Sequence, residues 1–432
     1  MENLNYISSD QIGSSHYLKS VTELGNEKRM VTTRDIYSSA NIKLVAAGTR
    51  FDSSLYEKLL NHKLLPALDQ CLSIENAVSS SSLKKEATLI LQQDPRLKSM
   101  RNAINGGEEN FLSLISRIPL NPAIAFKLTV MREKSHDLFQ HSLFVAMVTS
   151  YIGMQMGLSG KQLENMATAG LLHDMSIMHV NPDLLEPSYR MSDTERNHLY
   201  AHPLTAWMIL NEYEEYPKEV LDAILQHHER LDGSGYPRGL KEDSISLPGQ
   251  ILAVSEIIAG RHDQSGEYQR LRLGTILKFN SKRYGLRMIG HLKVFYQEDG
   301  GSFTCTDEDK MRIVARLDKL NLILEDWKAR AISGTDAMLG FLQGRMNSLK
   351  LELKEVGLIT GIDGTVMELV NNEPQTCAEI DVLVTEAIWR LKEIHAEIRR
   401  RWPKIENEEA SPQYRAVRSW ILDVEKILNE NP

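Results

Sequence analysis

The sequence predicts a mainly α chain: a helical bundle flanked by a small N-terminal β-containing module and a C-terminal helical domain. Three observations predict it. Apolar residues recur at three- and four-residue spacing through nearly all of 123–330. The same period returns beyond a Gly300-Gly301 break and a bridging helix, as Met338, Leu342, Met346, Leu349, Leu353 and Val356, and again as Ile380, Val384, Ile388, Leu391, Ile394 and Ile398. Only near the N terminus does it give way to short β-like runs, Met30-Val31-Thr32 and Ile42-Lys43-Leu44-Val45-Ala46.

In chain order, residues 1–27 are polar and Ser/Asn-rich without a sustained period, and read as a flexible tail. Residues 28–78 read as a small α/β module, its strands joined through Ser38-Ser39-Ala40-Asn41. Ser54 and Glu57 form a capping-box signature there, and Pro66 marks a second helix start. The serine run at 79–82 reads as a linker, opening a helical connector over 79–122 in which Asp94-Pro95 stops one helix. The bundle spans 123–330, and 331–432 reads as a separate helical domain. Its two apolar stripes suit a core or a hairpin that pairs two copies into a homodimer. Arg399-Arg400-Arg401 closes the second stripe, where cations suit a helix C-terminus.

At 432 residues and 49.0 kDa the chain has material for two to four domains of roughly 100–200 residues each. Fifty Lys and Arg against 58 Asp and Glu give a net charge of −8, which argues against a coat for nucleic acid or an anionic membrane. No apolar run approaches the roughly 18 residues of a membrane span, and Met1-Glu2-Asn3-Leu4-Asn5 has no signal-peptide character. The three cysteines, Cys71, Cys305 and Cys377, are far apart and odd in number. They suggest no disulfide framework and no CxxC zinc site, and a reducing cytoplasm is the expected setting.

Histidine is the anomaly. Nine of 13 (His136, His141, His173, His179, His198, His202, His227, His228, His262) fall between 136 and 262, where even scatter would place roughly four. Several continue apolar helix faces. Ser159 to Gln162 reads as a capping-box start, and the stripe Leu163, Met166, Ala167, Gly170, Leu171 runs on into His173 and Asp174. Asp137 and His141 are four apart, on the face of Val145, Val148 and Ile152. Ser192 and Glu195 cap a helix leading to His202, whose face continues to Ala206 and Ile209. Leu221, Ile224 and Leu225 lead to His227 and His228, and Leu252 shares a face with Glu256.

A single histidine on an apolar face is ordinarily a satisfied core residue. Eight polar residues on five inward faces are different, because several buried, unpaired carboxylates would exhaust a domain's net stability of roughly 5–15 kcal/mol. Bound divalent cations resolve the conflict by neutralising carboxylates and taking imidazole lone pairs. An N/O donor set without sulfur suits Mn or Fe and tolerates Zn. Seven or eight ligands imply two or three ions sharing a carboxylate such as Asp174, an arrangement that activates water against phosphate esters.

His173-Asp174, together with the string His227-His228-Glu229-Arg230-Leu231-Asp232-Gly233-Ser234-Gly235-Tyr236-Pro237, resembles the HD-GYP branch of the HD metal-dependent phosphohydrolases. Supporting pieces stand in order: His141-Ser142, Asn181-Pro182-Asp183-Leu184-Leu185, Ser192 to Glu195, and His202-Pro203. The resemblance covers about 123–330. It implies an HD-type helical bundle holding two or three Fe or Mn ions. It also implies cyclic di-GMP phosphodiesterase activity yielding pGpG or GMP in bacterial second-messenger signalling, and a GGDEF-type or other signalling protein as partner. By position, His141, His173, Asp174, His202, His227 and His228 match family metal ligands. Asp137 stands where the family has glutamate, and Glu256 where it has aspartate. His173 and Asp174 take catalytic roles, with Arg230 as a third catalytic residue. Arg230, Gly233, Gly235, Tyr236 and Pro237 form the expected substrate loop.

Local chemistry leaves alternatives. Arg230 suits a phosphate or its neighbours Glu229 and Asp232. Tyr236 suits a guanine or loop packing. The family's HDIGK reads His173-Asp174-Met175-Ser176-Ile177 here, so the lysine that would hold a substrate phosphate is Ile177. Arg261 is a candidate replacement, or a surface residue. His136, His179, His198 and His262 have no ligand counterpart and read as surface or supporting residues. Two functions therefore compete: a phosphodiesterase, and a metal- and nucleotide-binding module that signals without turnover.

Overall fold

The computed structural model describes residues 14–104, 107–186, 189, 191–260, 267–296, 304–330, 336–358, 373–406 and 411–429. Gly300-Gly301, Arg261 and His262 lie outside them. The chain divides into two compact units, Met1–Arg261 with Arg283–Phe295, and His262–Lys282 with Tyr296–Pro432. Among the described residues no helix is long and apolar enough to cross a membrane.

The first unit opens on a helix, α1 (Ser14–Glu27), not on a loose tail at these positions. Tyr17, Leu18, Val21 and Leu24 are buried along one face, so four apolar residues suffice to dock a segment whose composition is otherwise polar. Five short strands follow. β1 (Met30–Thr32) pairs antiparallel with β5 (Leu72–Ile74), while β2 (Ile36–Ser38) lies between β3 (Lys43–Val45) and β4 (Leu64–Leu65). The expected helix starts shift slightly. Asp52, rather than Ser54, caps the turn at 53–55 by accepting from the Ser54 N–H, and Pro66 precedes only the 3-10 turn Leu68–Gln70. The serine run is no linker: Ser79 and Ser82 form a reciprocal capping box that starts α2 (Ser80–Gln93), and Asp94-Pro95 ends it.

The bundle itself is α3 (Pro122–Lys134), α4 (His136–Gln155) and α5 (Lys161–Leu172), followed by α6 (Asp193–Tyr200), α7 (His202–Leu210), α8 (Lys218–Gln226) and α9 (Leu247–Ala259). Helix α4 is buried without interruption from Ser142 to Gly153, which makes it the axis of the bundle. Helix α5 starts from Gly160 at φ +52 rather than from a Ser159 side-chain cap, and crosses α4 closely at Gly170. A Cβ on Gly170 would lie 2.6 Å from Ala146 Cα and 2.5 Å from Thr149 Oγ1, so only glycine permits that approach.

In the second unit, α10 (Glu267–Phe279), α11 (Asp307–Ala329), α12 (Ala337–Glu355), α13 (Pro374–Arg401) and α14 (Pro412–Asn429) enclose one core. Ile313, Leu317 and Leu320 of α11 join Met338, Leu342, Val384, Leu391 and Trp420 there. The compact units therefore differ from the sequence boundary at 330, because α11 buries its apolar face against the C-terminal helices. Both apolar stripes serve this internal core, apart from exposed Val356 at the end of α12. One expectation is corrected outright. Cys305 and Cys377 form a disulfide across 72 residues, because the approach to α11 and the first turn of α13 are neighbours in space. Cys71 is free and buried.

His395 of α13 is buried edge-on to the Trp420 ring at 5.1 Å, and among the described residues neither ring nitrogen has a hydrogen-bond partner. Burial, helped by the nearby Arg399 charge, pushes its pKa down to about 3. The unfolded chain then binds the extra proton between the ordinary value near 6.5 and about 3, so stability falls as the pH is lowered through that window. The expected slope is about 1.4 kcal/mol per pH unit. Urea unfolding followed by tryptophan fluorescence at pH 7 and 4.5 should show it, and His395→Phe should remove this contribution while retaining stability at pH 7.

Candidate metal centre

Seven side chains from five helices or helix ends converge in the first unit. His141 comes from the second turn of α4, His173 and Asp174 from the end of α5, and His202 from the start of α7. His227 and His228 follow α8, and Glu256 belongs to α9. They form two groups, each with its ligand atoms within 4.8 Å of one another: His141, His173, Asp174 and Glu256, and Asp174, His202, His227 and His228. Asp174 belongs to both. Its Oδ2 lies 3.3 Å from His173 Nε2 and 4.0 Å from His141 Nε2, while its Oδ1 lies 3.1 Å from His202 Nε2 and 3.6 Å from His227 Nε2.

The orientation of three rings follows from helix geometry. His173 Nδ1 is 2.9 Å from Gly170 O, His202 Nδ1 is 2.7 Å from Leu199 O, and His227 Nδ1 is 2.6 Å from Ile224 O. Each imidazole thus donates Nδ1–H to the carbonyl three residues back and turns the Nε2 lone pair inward. Two such nitrogens, on His202 and His227, face each other at 3.1 Å. His173 Nε2, Asp174 Oδ1 and Glu256 Oε1 are buried and make no well-formed hydrogen bond, although His173 Nε2 is only 2.9 Å from Glu256 Oε1. A cluster of inward lone pairs and carboxylate oxygens is a donor set suited to divalent cations, and its N/O chemistry fits them.

Electrostatics agree. Burial opposes charge throughout, yet Asp174 and Glu256 together outweigh it and raise His173 well above its ordinary pKa. Burial likewise works against His141, but Glu256 overcomes it and raises that pKa too. In return, the histidines hold both carboxylates well below theirs against the same burial. Burial pushes His227 down to about 4 and lowers His228 as well, favouring neutral rings. Without metal, protons on His173 and His141 carry the positive charge that the carboxylates demand.

Asp137 does not join. The helix begins at His136, so Asp137 sits exposed in the first turn of α4 and belongs to neither group. A carboxylate there complements the helix dipole instead. Ile177 is buried in the 3-10 turn Met175–His179 and offers no charge. His136 is exposed, and His198 Nε2 is buried with no hydrogen-bond partner among the described residues.

The loop after His228 is held from within. The buried Glu229 carboxylate accepts the N–H groups of Arg238 at 2.7 Å and Leu240 at 2.8 Å. Asp232 accepts from the Ser234 N–H and hydroxyl, and Arg283 donates to that same Ser234 hydroxyl. Gly233 adopts φ +76, and a Cβ on Gly235 would lie 2.4 Å from His228 O and Glu229 Cα. Tyr236 stacks on His228 at 4.6 Å and on Tyr200 at 4.4 Å, with Pro237 following through a cis bond. Arg230 donates to the carbonyls of His227 and Glu229, and its guanidinium lies 4.9 Å from the centre of the Tyr284 ring. Sequence reasoning missed the structural role of Glu229. Its invisible signal is the loop backbone it satisfies.

The segment that carries these residues is similar to known proteins. Residues 120–270 match the HD domain family model. That segment also carries the His173-Asp174 pair and the full string from His227 to Pro237. Residues 120–270 are thus similar to HD domains. A 3'3'-cGAMP-specific phosphodiesterase from Vibrio cholerae is 31% identical over 30% of this chain and 30% of its own length. A cyclic di-GMP phosphodiesterase from Pseudomonas aeruginosa is 27% identical over 43% of this chain and 44% of its own. A solved HDG"Y"P protein from Bdellovibrio bacteriovorus is 14% identical at a TM-score of 0.32, covering 63% of this chain and 96% of that one. The chain thus spans less than half the length of these two curated relatives.

Divalent ions held by these two ligand groups would stabilise the folded state through linkage. Mn(II) at about 100 times its Kd should add about 2.7 kcal/mol, read as a rise in thermal midpoint. His227→Ala should abolish most of that rise.

Proposed function

We propose that the chain is a metal-dependent phosphodiesterase acting on a cyclic dinucleotide, with cyclic di-GMP as substrate and pGpG or GMP as product. The observation that carries this reading is the position of Asp174, with one oxygen toward each of two ligand groups. His141, His173 and Glu256 would complete one metal position, and His202, His227 and His228 the other. Bound divalent ions there would supply an activated water and neutralise charge on a phosphodiester. The relatives' names support the substrate class, and Fe or Mn is the expected metal for this donor set.

The chain's own groups do the rest. Asp174 fixes the spacing between the positions, and the carbonyl-anchored imidazoles keep their Nε2 atoms aimed without side-chain rearrangement. Tyr236, stacked on His228, closes one wall and offers an aromatic surface beside the cluster. Gly235 brings the loop backbone close to His228, and Arg230 braces it from behind. With Asp137 outside the cluster, two ions rather than three are proposed.

One observation favours a second reading, a module that binds metal and nucleotide without turnover: Ile177 is apolar and buried where the family places a phosphate-holding lysine. Anaerobic purification, metal loading with Mn(II) or Fe(II) and chromatography of cyclic di-GMP digests decide between them. The enzyme reading expects linear product, with Asp174→Asn slowing turnover by roughly 10³-fold or more. Metal-loaded protein that binds the dinucleotide but yields no product overturns it in favour of the second reading.

A further inference from the structure

Helix α3 carries a lysine where its neighbours are apolar. Lys127 is 2% exposed, between Phe126 and Leu128, and its ammonium is fully engaged inside the first unit. It lies 2.9 Å from Asp69 Oδ2, 3.1 Å from His179 Nε2 and 3.7 Å from the centre of the Tyr17 ring. The Tyr17 hydroxyl donates to the other oxygen of Asp69, and the Tyr17 ring stacks on His179 at 4.6 Å. Four segments meet here: α1, the turn Leu68–Gln70 of the N-terminal module, α3, and the turn Met175–His179.

That last turn leads directly to the metal centre. Asp174 is its N-cap, and the Ile177 N–H donates to Asp174 O at 2.9 Å. The Ser176 hydroxyl donates to His202 O at 2.7 Å. Met175, Ser176, Ile177 and Met178 are all buried, so the turn is a short rigid strut. One end holds the shared carboxylate and the backbone of His202. The other end is His179, gripped by Lys127 and Tyr17.

We propose that Lys127 is a positioning residue for the metal centre, acting through His179 and the turn to set Asp174 against His202. Its partners Asp69 and Tyr17 place the N-terminal helix and module in the same network, so their seating on the bundle is transmitted to the shared ligand. Lys127 touches no ligand atom. This rests on the metal-binding reading of the cluster.

The test measures Mn(II) affinity by titration of the full chain, with circular dichroism and thermal midpoint as folding controls. His179→Leu severs the link while leaving the Lys127–Asp69 pair intact. His179→Gln keeps an acceptor for the ammonium. The double variant Lys127→Met/Asp69→Leu removes the network without stranding a charge. The proposal expects His179→Leu and the double variant to lose about 10–100-fold in affinity while folded, and His179→Gln to recover most of it. Saturating Mn(II) should restore turnover further in these variants than in Asp174→Asn. Wild-type affinity in both folded His179→Leu and the folded double variant overturns the positioning role alone. Wild-type protein that binds no Mn(II) or Fe(II) overturns the metal reading beneath it as well.

Discussion

Each of three buried imidazoles, on His173, His202 and His227, spends its Nδ1 proton on a carbonyl three residues earlier. That bond fixes tautomer and ring direction at once, and leaves one lone pair per ring with a single place to go. The three Nε2 atoms turn toward the oxygens of Asp174, whose carboxylate stands among them where burial makes uncompensated charge costly. The rest of the first unit is organised around keeping this convergence tight. Gly170 lets α5 sit against α4 so that His173 reaches the His141 side, and the Glu229-braced loop brings Tyr236 onto His228.

The same electrostatic logic runs through both units. Among the described residues, two buried structural charges are paired: Lys127 with Asp69 in the first unit, and Arg390 with Glu352 in the second. The metal cluster departs from that pattern, holding two carboxylates among histidines that carry no permanent charge. His395 departs from it in another way, as a neutral ring packed on Trp420 whose nitrogens have no hydrogen-bond partner among the described residues. The first departure reads as a site. The second reads as a stability cost within a well-packed core.

The face that carries the candidate ligands was legible because helix period carries it. Continuing the stripe from Leu163 to Gly170 by three and four residues gives His173 and Asp174, and both stand in the cluster. The string from His227 to Pro237 was legible differently, through its resemblance to a family motif, and its two histidines fall where a buried helix ends. Asp137 shows the limit of helix period. A four-residue spacing puts it on the face of His141 but does not say how deep it lies, and in the first turn of α4 it stands exposed. What depends on contacts between distant segments could not be read at all. The docking of α1, the Cys305–Cys377 bond and the Lys127–Asp69 pair each join residues that the sequence keeps far apart. The edge between the two units was misplaced for a related reason, since α11 has the same period whichever core it joins.

The central claim is that Asp174 joins two metal positions. Anomalous diffraction at the metal absorption edge, from crystals of the full chain grown anaerobically with Mn(II) or Fe(II), tests it most directly. Two peaks on either side of the Asp174 carboxylate, one near His141, His173 and Glu256 and the other near His202, His227 and His228, are the predicted result. A single peak that Asp174 does not contact, or no peak at this cluster, would contradict it.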